Sequence, residues 1–339
     1  MAVESSRGRR ARVVAVALAS LLICSGAGAP AHAVVADNPD PETVRLLTYN
    51  VCMNTKCAQA YGLSGTDARL AQIGEWVIGR DGGTKRPDVL ALQEAYYKEV
   101  STGPEGNGEK LESAFPGYRI AQKQDQRWIL YNTATLTRTD GGVVGVGEPQ
   151  RDTKVFPWAQ FARKGTGHRV TVVNVHLAHG DGPRQRREVD RLAEGITRQL
   201  PLGTRTVLAG DFNSTRNDDT AGTHLNQVFE RYTGRLTDAV PVDRRTSTLH
   251  RTEFTTAYSP VLGPSAGPGR GYRNLPIDHL FHGTGLRCVV GAGEVYKDRG
   301  EPAQVTSQAE EDARWAEVHR RRSDHNAVYA ELSWSADRC

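Results

Sequence analysis

At 339 residues and 38% hydrophobic content, the chain can bury a sizeable core, and a single large two-sheet or barrel domain can reach this length. Its formal charge is +4, but four arginines (Arg7, Arg9, Arg10, Arg12) and Glu4 in the first 33 residues supply three of those charges, leaving about +1 on the rest. A general polycation is excluded, so any footprint for an anionic polymer has to be local.

The arginines precede an apolar run over 13–24 and the small-x-small triplet Ala31-His32-Ala33. This is the pattern of a secretory signal peptide over residues 1–33, with the mature chain starting near Val34 and secreted. The run is too short to span a bilayer, so no stable membrane anchor is expected. Ile23 is bulky where a small residue normally precedes a lipidated cysteine, which makes a lipoprotein at Cys24 the lesser alternative. Four cysteines remain, Cys52, Cys57, Cys288 and Cys339, an even number suited to an oxidising compartment. They allow three pairings. Cys52 with Cys57, closing a tight loop, and Cys288 with Cys339, tying the last residue to a late strand, are the expected ones.

Residues 34–43 contain Pro39 and Pro41 without periodicity and read as a linker before a single domain over 44–339. A strand over 44–49 ends at Asn50. Asp67 opens a helix with Leu70, Ile73 and Val77 on one face, and the continuous apolar run over 88–92 is a buried strand that delivers Glu94. Residues 102–110 read as a glycine-rich polar loop, 127–131 as a strand, and 156–162 with 169–175 as a hairpin around 164–167 that delivers His176. Pro183 begins a helix that buries Val189, Leu192, Ala193, Ile196 and Leu200 and carries Arg184, Arg186, Arg187 and Arg191 on its other side.

Next comes a short apolar strand over 206–209 that breaks at Gly210 and presents Asp211 and Asn213 two residues apart, on one side of the strand end. A further helix carries Leu225, Val228, Phe229 and Tyr232. An irregular loop over 259–276 holds Arg270, Tyr272 and Arg273. Strands are expected over 275–281, with Asp278, and over 286–290. Residues 308–318 fit a charged helix or a loop. Ser323-Asp324-His325-Asn326 then leads into a last strand over 327–334.

Asn50, Glu94, His176, Asp211, Asn213, Asp278, Asp324 and His325 therefore lie at or beside strand ends, where α/β proteins build sites. A carboxylate at Asp211 can hold and deprotonate a water, and Asn213 can donate to that water or to a phosphate oxygen. The oxygen-rich set suits Mg²⁺ or Mn²⁺, with Ca²⁺ a candidate structural ion, rather than structural zinc.

Taken together, 46–50, Leu92-Gln93-Glu94, Asn174-Val175-His176, Gly210-Asp211-Phe212-Asn213, Ile277-Asp278-His279 and Ser323-Asp324-His325-Asn326 resemble the motifs of the endonuclease/exonuclease/phosphatase superfamily, the fold of deoxyribonuclease I. The resemblance implies a four-layer α/β sandwich of two mainly antiparallel mixed sheets flanked by helices, with the site at one end. It implies Glu94 as main metal ligand helped by Asn50 and Asp324, Asp211 as the group that activates water, and Asn213 as the group that holds it in line. His176 and His325 would donate to non-bridging phosphate oxygens, with Asp278 orienting His325. Asp278 also fits an ordinary strand-end acid, and Asp324 a turn residue. Members like deoxyribonuclease I commonly carry an arginine two residues beyond the glutamate; here Tyr96 stands there and could stack on a base or sugar, or pack. His179, His279 and His282 match no catalytic position.

For the substrate, Arg184 and Arg187, Arg270 and Arg273, and Arg322 could form a phosphate-tracking rim, which favours a monomeric extracellular nuclease acting on DNA. A solvated helix face is the plainer reading of the first group. The alternatives are a sphingomyelinase-like lipid phosphodiesterase, for which Phe156-Pro157-Trp158 is the nearest candidate for a membrane-entering hairpin, and a phosphomonoesterase. A non-catalytic binder would have no need of Asp211 or His325.

Overall fold

The computed structural model describes residues 38–53, 66–79, 86–95, 106–146, 154–178, 182–200, 205–213, 236–238, 278–283, 285–295, 325 and 327–338. All of them lie in one compact unit, Ala33–Cys339. Outside the described residues fall the expected leader over 1–33, Cys57, Tyr96, His179, the helix carrying Leu225 to Tyr232, the loop with Arg270 and Arg273, the segment 308–318, Arg322, Asp324 and Cys339.

Among the described residues, twelve strands form two six-stranded sheets. The first contains β1 (Thr43–Asn50), β2 (Val89–Gln93), β3 (Tyr118–Gln124), β4 (Arg127–Asn132), β11 (Cys288–Val295) and β12 (Ala327–Ser333), in the order β11-β12-β1-β2-β4-β3. The second contains β5 (Leu136–Val146), β6 (Lys154–Arg163), β7 (Arg169–His176), β8 (Thr206–Asp211), β9 (Leu236–Asp238) and β10 (Asp278–Gly283), in the order β5-β6-β7-β8-β10-β9. The α-helices among the described residues are α1 (Thr66–Gly79), α2 (Gly106–Ala114) and α3 (Gly182–Gln199).

Each sheet is antiparallel except at its centre, where β1 lies parallel to β2 and β7 parallel to β8. A parallel pair needs a crossover, and α1 and α3 supply the two. The layers follow from three apolar clusters. Val44, Leu46, Val172, Ala209 and Leu332 fill the space between the sheets. Leu70, Ile73, Val77, Leu111 and Phe115 of the α1 and α2 region cover the outer face of the first sheet, and Val189, Leu192, Ala193 and Ile196 of α3 cover the second. The four-layer α/β sandwich is thereby formed.

Three departures from the sequence reading have local causes. Part of the expected loop over 102–110 is helical: α2 begins at Gly106 because Leu111 and Phe115 are buried, and it packs so closely on α1 that a Cβ on Gly74 would lie 1.8 Å from the Ala114 carbonyl. The strands β3 and β5 were not anticipated, since their sequences YRIAQKQ and LTRTDGGVVGV are polar or glycine-rich. Both are edge strands, where one side needs no apolar partner. The segment 38–43, expected as linker, is docked. Asn38 donates to Asp88 Oδ2 (2.9 Å), Arg163 pairs with Asp88 Oδ1 (2.9 Å) and donates to Asn38 O (2.6 Å), and Thr43 already belongs to β1.

A buried amide pair ties one sheet to the other. Asn174 on β7 donates through Nδ2 to Leu92 O (2.8 Å) and Trp128 O (2.9 Å), and its Oδ1 accepts from Gln93 Nε2 (2.7 Å). Both side chains are fully buried. Replacing Asn174 by the similarly sized leucine removes three buried hydrogen bonds from the core, so Asn174→Leu is expected to lower unfolding free energy by about 3 kcal/mol or more in urea titrations.

Candidate active site

The two parallel pairs point their C-terminal ends to the same end of the sandwich, and the antiparallel neighbours β10 and β12 begin there. Asn50 closes β1, Glu94 follows β2, His176 closes β7, Asp211 closes β8, Asp278 opens β10 and His325 precedes β12. Register completes the convergence, with Asp211 opposite His176 on one side and Asp278 on the other.

Local backbone holds these ends in unusual conformations. Gly210 brings β8 against β7 so tightly that a Cβ there would lie 1.9 Å from Val175 O. Glu94 (φ +52°) and Asn213 (φ +48°), with Cys52 (φ +48°), occupy the left-handed region that non-glycine residues seldom enter. Backbone bonds from Val51 N to Gln93 O (3.0 Å) and Met53 N to Glu94 O (2.9 Å) zip the exits of β1 and β2 together. Arg69 of α1, fully buried, donates to Val51 O (3.1 Å) and Cys52 O (2.9 Å).

Asp211 is the hub. Its Oδ2 accepts from Asn50 Nδ2 (3.1 Å), with His176 Nε2 at 3.6 Å and His325 Nε2 at 3.8 Å, while its Oδ1 accepts from the Asn213 backbone N–H (2.8 Å). His325 Nδ1 donates to Asp278 Oδ2 (2.8 Å), which leaves Nε2 directed to Asp211. Asn50 Nδ2 also reaches Glu94 Oε1 (3.2 Å), and His176 Nε2 stands 4.0 Å from that oxygen. Six of the expected residues, Asn50, Glu94, His176, Asp211, Asp278 and His325, thus form one connected cluster, with Asn213 attached through its backbone.

Two details differ from the sequence reading. The Asn213 side-chain nitrogen commits one of its two N–H groups to Leu177 O (2.9 Å), so its other N–H and Oδ1 are what it offers to a water or substrate. On α3, Arg184 pairs with Glu188 Oε1 (3.1 Å) and is half-buried, whereas Arg187 is exposed. His279 and His282 are core residues: His279 stacks on Phe281 with ring centroids 5.2 Å apart, and His282 is buried. Phe156 and Trp158 are likewise buried in β6 rather than displayed at a tip.

Sequence reasoning passed over Gln93, Asn174, Gln185, Glu188 and Lys154, which fix the catalytic ends from behind. Their signal was present, since Gln93 and Asn174 are lone amides in otherwise apolar strands, and Gln185 and Glu188 precede Val189 and Leu192 on the buried face of α3.

Oxygen donors grouped in this way suit a hard divalent cation. Asp211, Asp278 and His325 offer ligand atoms within 4.8 Å of one another and could hold a metal ion. An acid, an amide and two imidazoles around such a position are the groups that phosphate-ester hydrolysis can use. The family model for the Endonuclease/Exonuclease/phosphatase family matches residues 47–325, and the chain belongs to that family of phosphate-ester hydrolases.

Solved structures share the fold. An endonuclease/exonuclease/phosphatase protein from Bacteroides vulgatus is 18% identical with a TM-score of 0.57, the match covering 86% of this chain and 98% of that one. A mannosyl-6-phosphatase from Bacteroides thetaiotaomicron is 17% identical (TM-score 0.55; 85% and 99% covered). TDP2 from D. rerio, complexed with single strand DNA product, is 12% identical (TM-score 0.52; 86% and 99% covered). No curated protein matches at a significant level.

Burial foremost, and then the Asp278 carboxylate, push the Asp211 pKa up to about 6, against the opposing pull of His325, the Asn213 N–H and the Asn50 amide. With Asp211 as the ionised base that the family resemblance implies, kcat/KM is expected to fall about tenfold per pH unit below about 6 and to level off above it, checked by a pH–rate profile. The same shift has a thermodynamic counterpart. A carboxyl whose folded pKa is raised destabilises the fold increasingly as pH climbs from its unfolded value to about 6, and the cost persists at neutral pH. Metal-free Asp211→Asn is therefore expected to be inactive yet more stable at pH 7 by about 1–3 kcal/mol in thermal or urea unfolding.

Proposed function

We propose that the protein is an exported, monomeric, divalent-metal-dependent phosphodiesterase, and that its substrate is nucleic acid, with DNA endonucleolysis the favoured activity. The observation that carries the chemistry is Asp211, buried yet in contact with Asn50 and flanked by both imidazoles. A buried carboxylate so surrounded is expensive for the fold and suited to taking a proton from a water.

The donor set fits Mg²⁺ or Mn²⁺: the positive end of the Asn50 amide bridges two carboxylates, Glu94 (3.2 Å) and Asp211 (3.1 Å), and a cation suits the same pair of oxygens. Glu94 and Asn50 would hold it beside Asp211, with Asp324 assigned by family resemblance. Bound there, the ion would polarise the phosphate and stabilise charge on the leaving oxygen. Asp211 removes the proton from the attacking water, and Asn213 Oδ1 accepts its other hydrogen and fixes its line of approach. His176 and His325 donate to the non-bridging oxygens as their charge grows, and Asp278 keeps the His325 Nδ1 proton in place so that Nε2 serves the site.

Several observations favour a polymer over a lipid. Arg187 is exposed on α3, which begins just beyond His176; Arg270, Arg273, Arg322 and Tyr96, outside the described residues, are further contacts proposed from the sequence. The candidate lipid-entering residues Phe156 and Trp158 are buried, and among the described residues the exposed large hydrophobics are Val143 and Val290. The single strand DNA product on D. rerio TDP2 lies on the same fold. Export is supported by the leader pattern and by disulfide bonds at Cys52 and Cys288, for which Cys57 and Cys339 are the proposed partners. Among the described residues, no helix is long and apolar enough to cross a membrane.

The test offers purified protein with Mg²⁺ to plasmid DNA, RNA, sphingomyelin, and sugar and inositol phosphates. Nicking of plasmid that EDTA abolishes, and that Glu94→Gln lowers by on the order of 10³ without change in circular dichroism, is the expected outcome. Turnover of only the lipid or a small phosphate would overturn the substrate assignment, and full activity of Glu94→Gln would remove Glu94 from the site.

A further inference from the structure

We propose that Gln185 is a positioning residue for the reaction, its carboxamide coupling the strand end that carries His176 to Asn213 so that the two move as one unit. The proposal rests on the hydrolase reading above. Gln185 lies in the first turn of α3 and is buried, and its Nε2 donates to both Ala178 O (2.6 Å) and Asn213 O (2.7 Å). Ala178 stands two residues beyond His176, and Asn213 two residues beyond Asp211.

The contact closes a ring. Asn213 Nδ2 donates to Leu177 O (2.9 Å), Leu177 N to Asp211 O (3.0 Å), and Asn213 N to Asp211 Oδ1 (2.8 Å), so Gln185 clamps from outside a loop pair already stitched from inside. Glu188, one turn along and also buried, accepts from Ala178 N (2.7 Å). Lys154 Nζ lies 3.5 Å from Glu188 Oε2 and donates to His176 O (3.3 Å). Besides the two bonds of Leu177 to the Asp211–Asn213 loop, the backbone from His176 to Ala178 is therefore gripped at three points, two of them from α3.

The composition of α3 makes the same point. Its buried face is apolar from Val189 onward, and apolar residues at 185 and 188 would continue that pattern against Leu177 and Phe212, both buried. Instead the helix buries an amide and a carboxylate, groups that are unfavourable there unless hydrogen-bonded, and their bonds go to the two loops that carry the chemistry. Asn213 has a further need for support, because its left-handed backbone (φ +48°) persists only where neighbours hold it. Removing the clamp frees Asn213 to relax and carries its Oδ1 away from the attacking water.

The test compares Gln185→Met, which keeps the volume and loses both donors, with Gln185→Ala, where water can take the two carbonyls. With bis(4-nitrophenyl) phosphate and Mg²⁺, kcat is expected to fall about 10- to 100-fold while KM changes less than about twofold, as for a small misplacement of reacting groups. In an Asn213→Ala background the same substitutions should cost less than about threefold further, because their effect passes through Asn213. Hydrogen exchange by mass spectrometry should show faster exchange in segments 171–178 and 206–213 together, with 43–50 and 89–93 unchanged. An unaltered kcat in both variants, a full additional loss in the Asn213→Ala background, or faster exchange in neither or just one segment would each overturn the coupling. If the wild-type protein hydrolyses no phosphate ester, the hydrolase reading is what fails, and the exchange experiment still decides the coupling.

Discussion

The carboxamide of Asn174 lies between the two sheets, and its hydrogen bonds to Leu92, Trp128 and Gln93 all run from β7 to the opposite sheet. In a low-dielectric core such bonds are strong when complete and costly when broken, so they fix the sheets to one relative position rather than merely to one spacing. Apolar contacts between Leu46, Val172 and their neighbours supply cohesion but tolerate sliding. The amide pair does not. Glu94 follows Gln93 by one residue and His176 follows Asn174 by two, so the pair sets the 4.0 Å separation between a β2 acid and a β7 imidazole.

The site built at that end runs against the preferences of the fold. Asp211 and Asp278 are two buried carboxylates close enough to raise the pKa of the first, and three left-handed non-glycine residues lie around them. Each is a local conflict that the surrounding structure overrides, by hydrogen bonds from Asn50, Arg69 and Gln185 and by the His325–Asp278 pair. Concentrated strain and buried charge of this kind belong to a place where chemistry, not stability, sets the residue choice. The opposite end of the sandwich also buries ionic groups, but there Asp88 meets Arg163, Asn38 and the Arg45 N–H in a satisfied network that simply docks the chain's entry into β1.

Much of this was legible in the amino-acid sequence. Strands with continuous apolar runs, such as those ending at Glu94, His176 and Asp211, declare themselves because both faces are buried, and the polar residue at each end is conspicuous by contrast. The amphipathic α3 was equally plain. What escaped was whatever depends on a neighbour distant in sequence. The edge strands β3 and β5 have no strong pattern of their own, and α2 is helical because α1 and the first sheet offer a place for Leu111 and Phe115. Arg184, grouped with its neighbours as one basic face, divides from Arg187 once Glu188 is seen beside it.

Strand ends, residue chemistry and chain order were therefore determined by the sequence alone, since apolar periodicity and backbone-breaking glycines are local properties. Which polar atoms meet is decided by tertiary structure. The direction of the Asn213 amide toward Leu177, the double bond of Gln185 to Ala178 and Asn213, and the Asn174 bridge all join segments separated by a crossover helix or by the gap between sheets. A hydrogen bond demands a partner within about 3 Å at a defined angle, and nothing in a one-dimensional pattern carries that geometry.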